Sequence, residues 1–238
     1  MSFFLEGLRG AWDLITSGDP YLWNLVWVTL KVAFVSTFVG SLIGLPIGLT
    51  LGLGRFRGRG AAMTVANAGL GLPPVIVGLV LALLMFPAAP LGRYGLLFTL
   101  KGVYIAQTVL AFPVIIALTA AAVADLPPGL LGQARAYGAN RIQLAGLAVR
   151  EARVGILAAL IAAVGSAMSE VGAVVLVGGN IEGVDQTLAS AALEKVDAGH
   201  FAEGLAIGIL LLGLILILTA ILTVIQHAGV ARRIGASS

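Results

Sequence analysis

Five stretches of this chain, approximately 32–53, 61–86, 102–124, 154–177 and 205–225, run for more than 20 residues with Glu170 as their only charged side chain. A segment inside hydrocarbon must satisfy its own backbone hydrogen bonds, and an α-helix needs about 20 apolar residues to cross. The composition of the whole chain agrees: with 59% hydrophobic and 11% charged residues, it has too few polar side chains to cover a globule in water. Alternating segments of about 10 residues, the mark of a membrane β-barrel, are absent. The expectation is an all-α membrane protein, one transmembrane domain over 1–238, with five crossings and a polar connection at 125–153.

Arginine and lysine positions orient such a bundle. Arg55, Arg57 and Arg59 follow the first stretch, Arg135, Arg141, Arg150 and Arg153 follow the third, and Arg232 and Arg233 lie in the tail. Arg9, Arg93, Lys101 and Lys195 fall on the other side, with Lys31 at the head of the first stretch. The richer side belongs in the cytoplasm. The N-terminus and the 178–203 loop, which carries Glu182, Asp185, Glu194 and Asp197, are then outside, and the C-terminus inside. The first nine residues lack the pattern of a cleaved secretory signal, so the first span directs insertion.

Several chemistries are disfavoured. The net charge of +3 comes without basic runs interleaved with aromatics, so nucleic acid is not an expected partner. With no cysteine and two histidines, thiolate metal sites and thiol nucleophiles are excluded. No Gly-Lys-Ser/Thr phosphate loop is present, so ATP hydrolysis by that route is not expected here. Ser169 beside Glu170 lacks a nearby histidine to act as base.

Gly40, Gly44, Gly48 and Gly52 recur every four residues and make a flat seam for a neighbouring helix of the same subunit or for a second copy. Pro46, Pro73, Pro74 and Pro113 fall within spans and should bend them. In the polar connection, Pro127 and Pro128 suit a helix start, and Leu130, Leu131, Ala134 and Tyr137 repeat at helical spacing. Gly138 then permits a sharp turn into a second helical stretch at 140–147. Apolar residues on so short a helix need a partner, either another protein or lipid headgroups.

The stretch Gln133-Ala134-Arg135-Ala-Tyr137-Gly138-Ala139 resembles the EAA loop of ABC-transporter importer permeases. Ala134 and Gly138 match that motif, while Gly132 stands at its Glu position, Gln133 at its first Ala, and its terminal Pro is missing. Thr29-Leu-Lys-Val-Ala, Gly-Leu-Pro46-Ile-Gly and Arg-Phe-Arg-Gly-Arg extend the similarity along the chain. A second segment, Ser169-Glu170-Val-Gly172-Ala followed by Gly178-Gly179-Asn180-Ile, resembles the tungstate subgroup of oxyanion permeases, as does Arg-Glu-Ala-Arg at 150–153. The resemblance implies a type I importer permease fold. It also implies a homodimer in the cytoplasmic membrane, two ABC ATPase subunits holding ATP and Mg, and an extracytoplasmic oxyanion-binding protein. Gln133, Ala134, Arg135, Tyr137, Gly138 and Ala139 would then form the coupling helix, and no cofactor would reside in this subunit. Tungstate is the first expected substrate, with molybdate or sulfate as alternatives.

A hydrated dianion needs hydrogen-bond donors, and Asn67, Gln107, Thr108, Ser166, Ser169 and the backbone at Gly178, Gly179 and Asn180 could supply them or could simply bond between helices. Glu170 would repel a dianion. It is expected to accept hydrogen bonds from a neighbouring helix or a second copy, or to pair with Lys31; as a proton relay it would suit a stand-alone carrier instead.

Overall fold

The computed structural model describes residues 2–54, 56–127 and 129–234, and the side chains among these except for 2–4, 6, 14 and 227–234. Arg55 and Pro128, and the side chains of Arg232 and Arg233, lie outside the described residues. Every regular element described is helical.

Helix α1, Ser2–Ser17, precedes α2, Pro20–Leu53. Asp19 starts α2 by accepting the Tyr21 N–H at 2.9 Å, and Pro20 supplies a preset φ at the first helical position. At 1.5 Å per residue the 34 residues of α2 span roughly 50 Å, well beyond a hydrocarbon core of about 30 Å. Its first three turns carry exposed Trp23 and Trp27 with the Lys31 ammonium 4.9 Å from the Trp27 ring centre, an arrangement suited to the membrane–water boundary.

The glycine seam faces α5, Leu100–Ala124, in the same chain. A methyl on Gly48 would stand 2.7 Å from Thr119 Cβ and 2.9 Å from the Ile116 carbonyl oxygen, and one on Gly52 would stand 2.6 Å from Val123 Cβ. Gly40 meets Ala111 and Ile115, so contacts advance in step along both helices and α2 and α5 run parallel. Intrasubunit packing, rather than a second copy, is therefore what the seam serves.

The second and fourth stretches are not single helices. Between α2 and α5, α3 (Arg59–Gly69) and α4 (Pro74–Met85) meet at 96°. Pro73 and Pro74 cannot donate backbone hydrogen bonds, and Pro disfavours helical geometry in the residue before it. After α5, helices α6 (Leu130–Ala136) and α7 (Arg141–Glu151) form a hairpin, followed by α8 (Arg153–Ser169) and α9 (Gly172–Gly178), which meet at 61°. Helix α10, Leu188–Asp197, fills the 178–203 connection that hydropathy leaves as a loop, and α11 runs Phe201–Ile234. Among the described residues three helices are long and apolar enough to span a membrane, and the two bent pairs bring the number to five if each is one span.

Contacts sort the helix ends into two faces. Gly155 at the start of α8 packs on Ala122 at the end of α5, and Gln226 of α11 donates to the Val154 carbonyl at 2.7 Å. Met85 and Val177, at the ends of α4 and α9, share a cluster with Ala106 near the start of α5. One face thus carries Arg57, Arg59 and the α6–α7 hairpin; the other carries α10, Arg93, Lys101 and Lys195. Successive spans alternate in direction as the five-crossing reading expects. Helix α1, which hydropathy does not single out, lies on α11, with Gly7 against Leu205 and Gly10 against Ala206.

Candidate functional site

The α6–α7 hairpin is built by local rules. Gly138 sits at φ +86°, a left-handed conformation open to glycine, and its N–H donates to the Arg135 carbonyl at 2.9 Å. Ala139 N–H reaches the Ala134 carbonyl at 3.0 Å. Asn140 caps α7 reciprocally: it accepts the Gln143 N–H at 2.9 Å, while Gln143 Oε1 accepts the Asn140 N–H at 2.8 Å. Leu131 anchors the hairpin against Val123, Ala148 and Ile156. The expected apolar face is therefore divided, because Leu131 turns into the bundle while Tyr137 is 91% exposed. Ile142, 82% exposed, adds a second apolar side chain that the sequence reading missed. Its only sequence signal is an isoleucine just after an N-cap in a polar segment. Gln133 and Arg135 are exposed, and Ala134 and Ala139 half-buried.

The second locus is where the bent pairs touch. A methyl on Gly78 of α4 would lie 2.6 Å from Ala173 Cα, and one on Gly172 would lie 2.6 Å from Val75 Cγ2, so α4 and α9 cross in near-backbone contact beside their breaks. Glu170 has left the helix, with φ −78° and ψ 131°, and its Oε1 accepts the Ala173 N–H at 3.3 Å. One expectation is met and another corrected here. Glu170 accepts from a neighbouring helix, the next one of its own chain, whereas the Lys31 pair is not formed, since the Lys31 ammonium stands over Trp27. A carboxylate at a helix N-terminus complements the exposed N–H groups and the dipole. Glu170→Gln keeps an acceptor and should melt within about 0.5 kcal/mol of the parent, whereas Glu170→Ala should lose about 1 kcal/mol. Thermal unfolding in detergent measures both, and identical melting of the two variants would contradict the cap.

The expected donors separate in space. Asn67, Ser166 and Ser169 are exposed, the Ser169 hydroxyl donating back to the Gly165 and Ser166 carbonyls at 3.2 and 3.1 Å. Gln107 is 1% exposed, and Thr108 donates to the Tyr104 carbonyl at 2.7 Å. With Ala158 and Ala162, Ser166 and Ser169 give α8 an exposed face of small residues. The exposed face of α11, by contrast, is Leu212, Leu216, Ile217, Ile221 and Val224.

The third locus closes the opposite end. Gly179 (φ +91°) lies against Phe98, and Phe98 and Asn180 take left-handed conformations with φ 58° and 56°. Phe98 N–H donates to the Val177 carbonyl at 2.8 Å. The Asn180 and Gln186 amides both donate to Glu194 of α10, and Tyr21 donates to Gln186 Oε1 at 3.0 Å. Leu188 N–H meets Thr29 Oγ1 at 2.9 Å. The segment after α9 is thus latched to α2 and α10. Asp185, expected at an accessible loop, is wholly buried beneath Gly178; its Oδ1 accepts the Ile181 N–H at 2.8 Å while Oδ2 has no partner among the described residues.

Burial pushes the Asp185 carboxyl above the usual carboxylate range, against the smaller opposing pull of the Ile181 N–H. A folded-state pKa raised above the unfolded value makes folding favour the protonated form. Stability is therefore greatest below the unfolded pKa and falls as pH rises through the folded one. Asp185→Asn should melt higher than the parent at pH 8 and equally at pH 4. A parent as stable as the variant at pH 8 would contradict this reading.

Residues 44–234 match the family described as the binding-protein-dependent transport system inner membrane component. The chain belongs to this family. It is 42% identical over 166 residues to a probable anion ABC transporter permease protein of Haloferax volcanii, covering 68% of this chain and 72% of the relative. It is 29% identical over 227 residues to a tungstate uptake system permease protein of Peptoclostridium acidaminophilum, covering 95% of this chain and all of the relative. The fold matches a chain of the MetNI methionine ABC transporter, solved in inward-facing conformations, with TM-score 0.71 and 24% identity over 89% of this chain and 98% of that chain. The chain is thus a membrane-spanning permease whose family region takes in the hairpin, both bent pairs and the latched segment, and begins inside α2.

Proposed function

We propose that this permease is the membrane subunit of an ATP-driven importer that carries an oxyanion, tungstate first, into the cytoplasm. The observation that carries the reading is similarity to a tungstate uptake permease along 95% of the chain. Molybdate and sulfate, tetrahedral dianions of like charge, are the alternative cargoes.

In this reading the α6–α7 hairpin is the seat for a cytoplasmic ATPase subunit that binds ATP and Mg. Tyr137 and Ile142 would enter the partner's groove, and Gln133, Ala134, Arg135, Gly138 and Ala139 would set the hairpin's shape. Support comes from two large apolar side chains held outward on a capped turn, which lower free energy only when covered. The pathway would run along the small-residue face of α8 past Ser166 and Ser169 and be shared with a second copy on a two-fold axis, because small side chains leave room for a hydrated ion. Glu170, Gly178, Gly179 and Asn180 would shape the outer gate through the α9 cap and the latch, with tight selection left to the binding protein.

The hairpin face would be cytoplasmic, as its arginines suggest. Glu182, exposed near buried Asp185, is the better labelling position: Glu182→Cys should react with an impermeant thiol reagent in intact cells, and Arg135→Cys only after lysis. The reverse pattern would invert the topology. Copurification tests the subunit reading, since a permease brings an ATPase subunit from detergent and a stand-alone carrier comes alone. Isothermal titration of tungstate, molybdate and sulfate into the cognate binding protein ranks the cargo.

A further inference from the structure

On the face that carries Arg57 and Arg59, a groove of about 740 Å³ opens between the end of α2 and the α6–α7 hairpin. Its walls are apolar, with Leu49, Leu53 and Phe56 on one side and Leu144 on the other, and Arg135 and Arg141 line it as well. Neither guanidinium is ion-paired among the described residues. Acidic side chains are scarce on this face, where Asp125 and Glu151 stand against six described arginines at 57, 59, 135, 141, 150 and 153.

The groove reaches along α2 from Gly54 to Pro46, eight residues or roughly 12 Å into the apolar span. It therefore straddles the boundary between hydrocarbon and headgroups. A carboxylate from a partner protein would use only the charged mouth and leave the apolar depth unfilled. A free oxyanion would do the same. A phospholipid fills both parts, with its phosphate on the guanidiniums and the first carbons of an acyl chain along Leu49, Leu53 and Leu144. Arginine's planar fork suits phosphate oxygens, and basic pockets between membrane helices at a headgroup surface are built for anionic lipid. We propose that this groove is a binding site for an anionic phospholipid, held through its phosphate by Arg135 and Arg141. The inference rests on α2 spanning the membrane and not on the identity of the transported ion.

Native mass spectrometry of the full chain, released from mild detergent with phosphatidylglycerol or phosphatidylcholine of matched acyl chains, tests it. The parent should retain phosphatidylglycerol with at least tenfold tighter apparent affinity than phosphatidylcholine. The Arg135→Gln, Arg141→Gln double variant should lose that preference, and a control carrying Arg9→Gln and Arg93→Gln, remote from the groove, should keep it. An unchanged preference in the groove variant, or equal loss in the control, overturns the proposal. Displacement of phosphatidylglycerol from the parent by free tungstate or sulfate would make this a site for free oxyanion. Its expulsion on adding ATPase subunits would make it a seat for a partner side chain.

Discussion

Gly48→Leu should abolish recovery of folded permease, because no room exists for a side chain where α2 and α5 meet. Even a single methyl at this position would stand 2.9 Å from the Ile116 carbonyl oxygen and 2.7 Å from Thr119 Cβ. Backbone on one side and a β-branched residue on the other cannot rotate away, so the helices must separate. Overpacking of this kind costs on the order of 3 kcal/mol, a large part of a typical domain's margin. The loss extends further, since Gly40, Gly44 and Gly52 sit on the same seam and a wedge at Gly48 lifts them together. The control is Gly213→Leu on α11, where nothing lies within 4 Å of an added methyl. Monodisperse yield and melting temperature in detergent read the difference. A Gly48→Leu protein that purifies and melts like Gly213→Leu would mean that the seam is loose.

Gly138→Val should insert and fold normally yet reduce ATP-driven uptake at least tenfold. The φ of +86° lies where a β-branched side chain meets its own backbone, a strain of about 1–3 kcal/mol, and the hairpin can relieve it only by opening the turn. Opening moves Tyr137 and Ile142 out of register with any partner, while Leu131 and Ala148 still hold the hairpin's base on the bundle. Gly138→Asn separates conformation from side-chain presence, since asparagine tolerates left-handed backbone. It should retain most uptake. Normal uptake and ATPase copurification by Gly138→Val would remove the hairpin from coupling.

What could be read from the sequence was what depends on local chemistry. The five apolar stretches, the glycine seam and the turn at Gly138 each follow from rules that act within a few residues, and the structure places helices, a helix contact and a left-handed glycine there. Hydropathy could not see direction. It treats 61–86 and 154–177 as single runs, although backbone at 70–73 and at Glu170–Val171 leaves the helix and turns by 96° and 61°. For the same reason Glu170 reads as an acid stranded in a span, when its carboxylate caps the helix that begins two residues later. Helices α1 and α10 escaped because their support is tertiary: α1 rests on Leu205 and Ala206, and α10 lies on α11, with Ala192 and Val196 against Gly204, while the Leu188 N–H ties its start to Thr29 of α2. The burial of Asp185 belongs with these, since nothing in its neighbours along the chain distinguishes it from the exposed Glu182.

In an ATP-driven importer this chain moves an oxyanion only when an ATPase acts on the α6–α7 face. Proteoliposomes holding the permease and its ATPase subunits, with ATP and Mg sealed on that face and tungstate-loaded binding protein on the other, measure it directly. Tungstate should accumulate in the compartment that holds ATP, and accumulation should cease when the ATPase subunits or ATP are omitted. Accumulation by the permease alone under an imposed proton gradient, unaffected by ATP, would contradict the claim and return Glu170 to the role of a proton carrier.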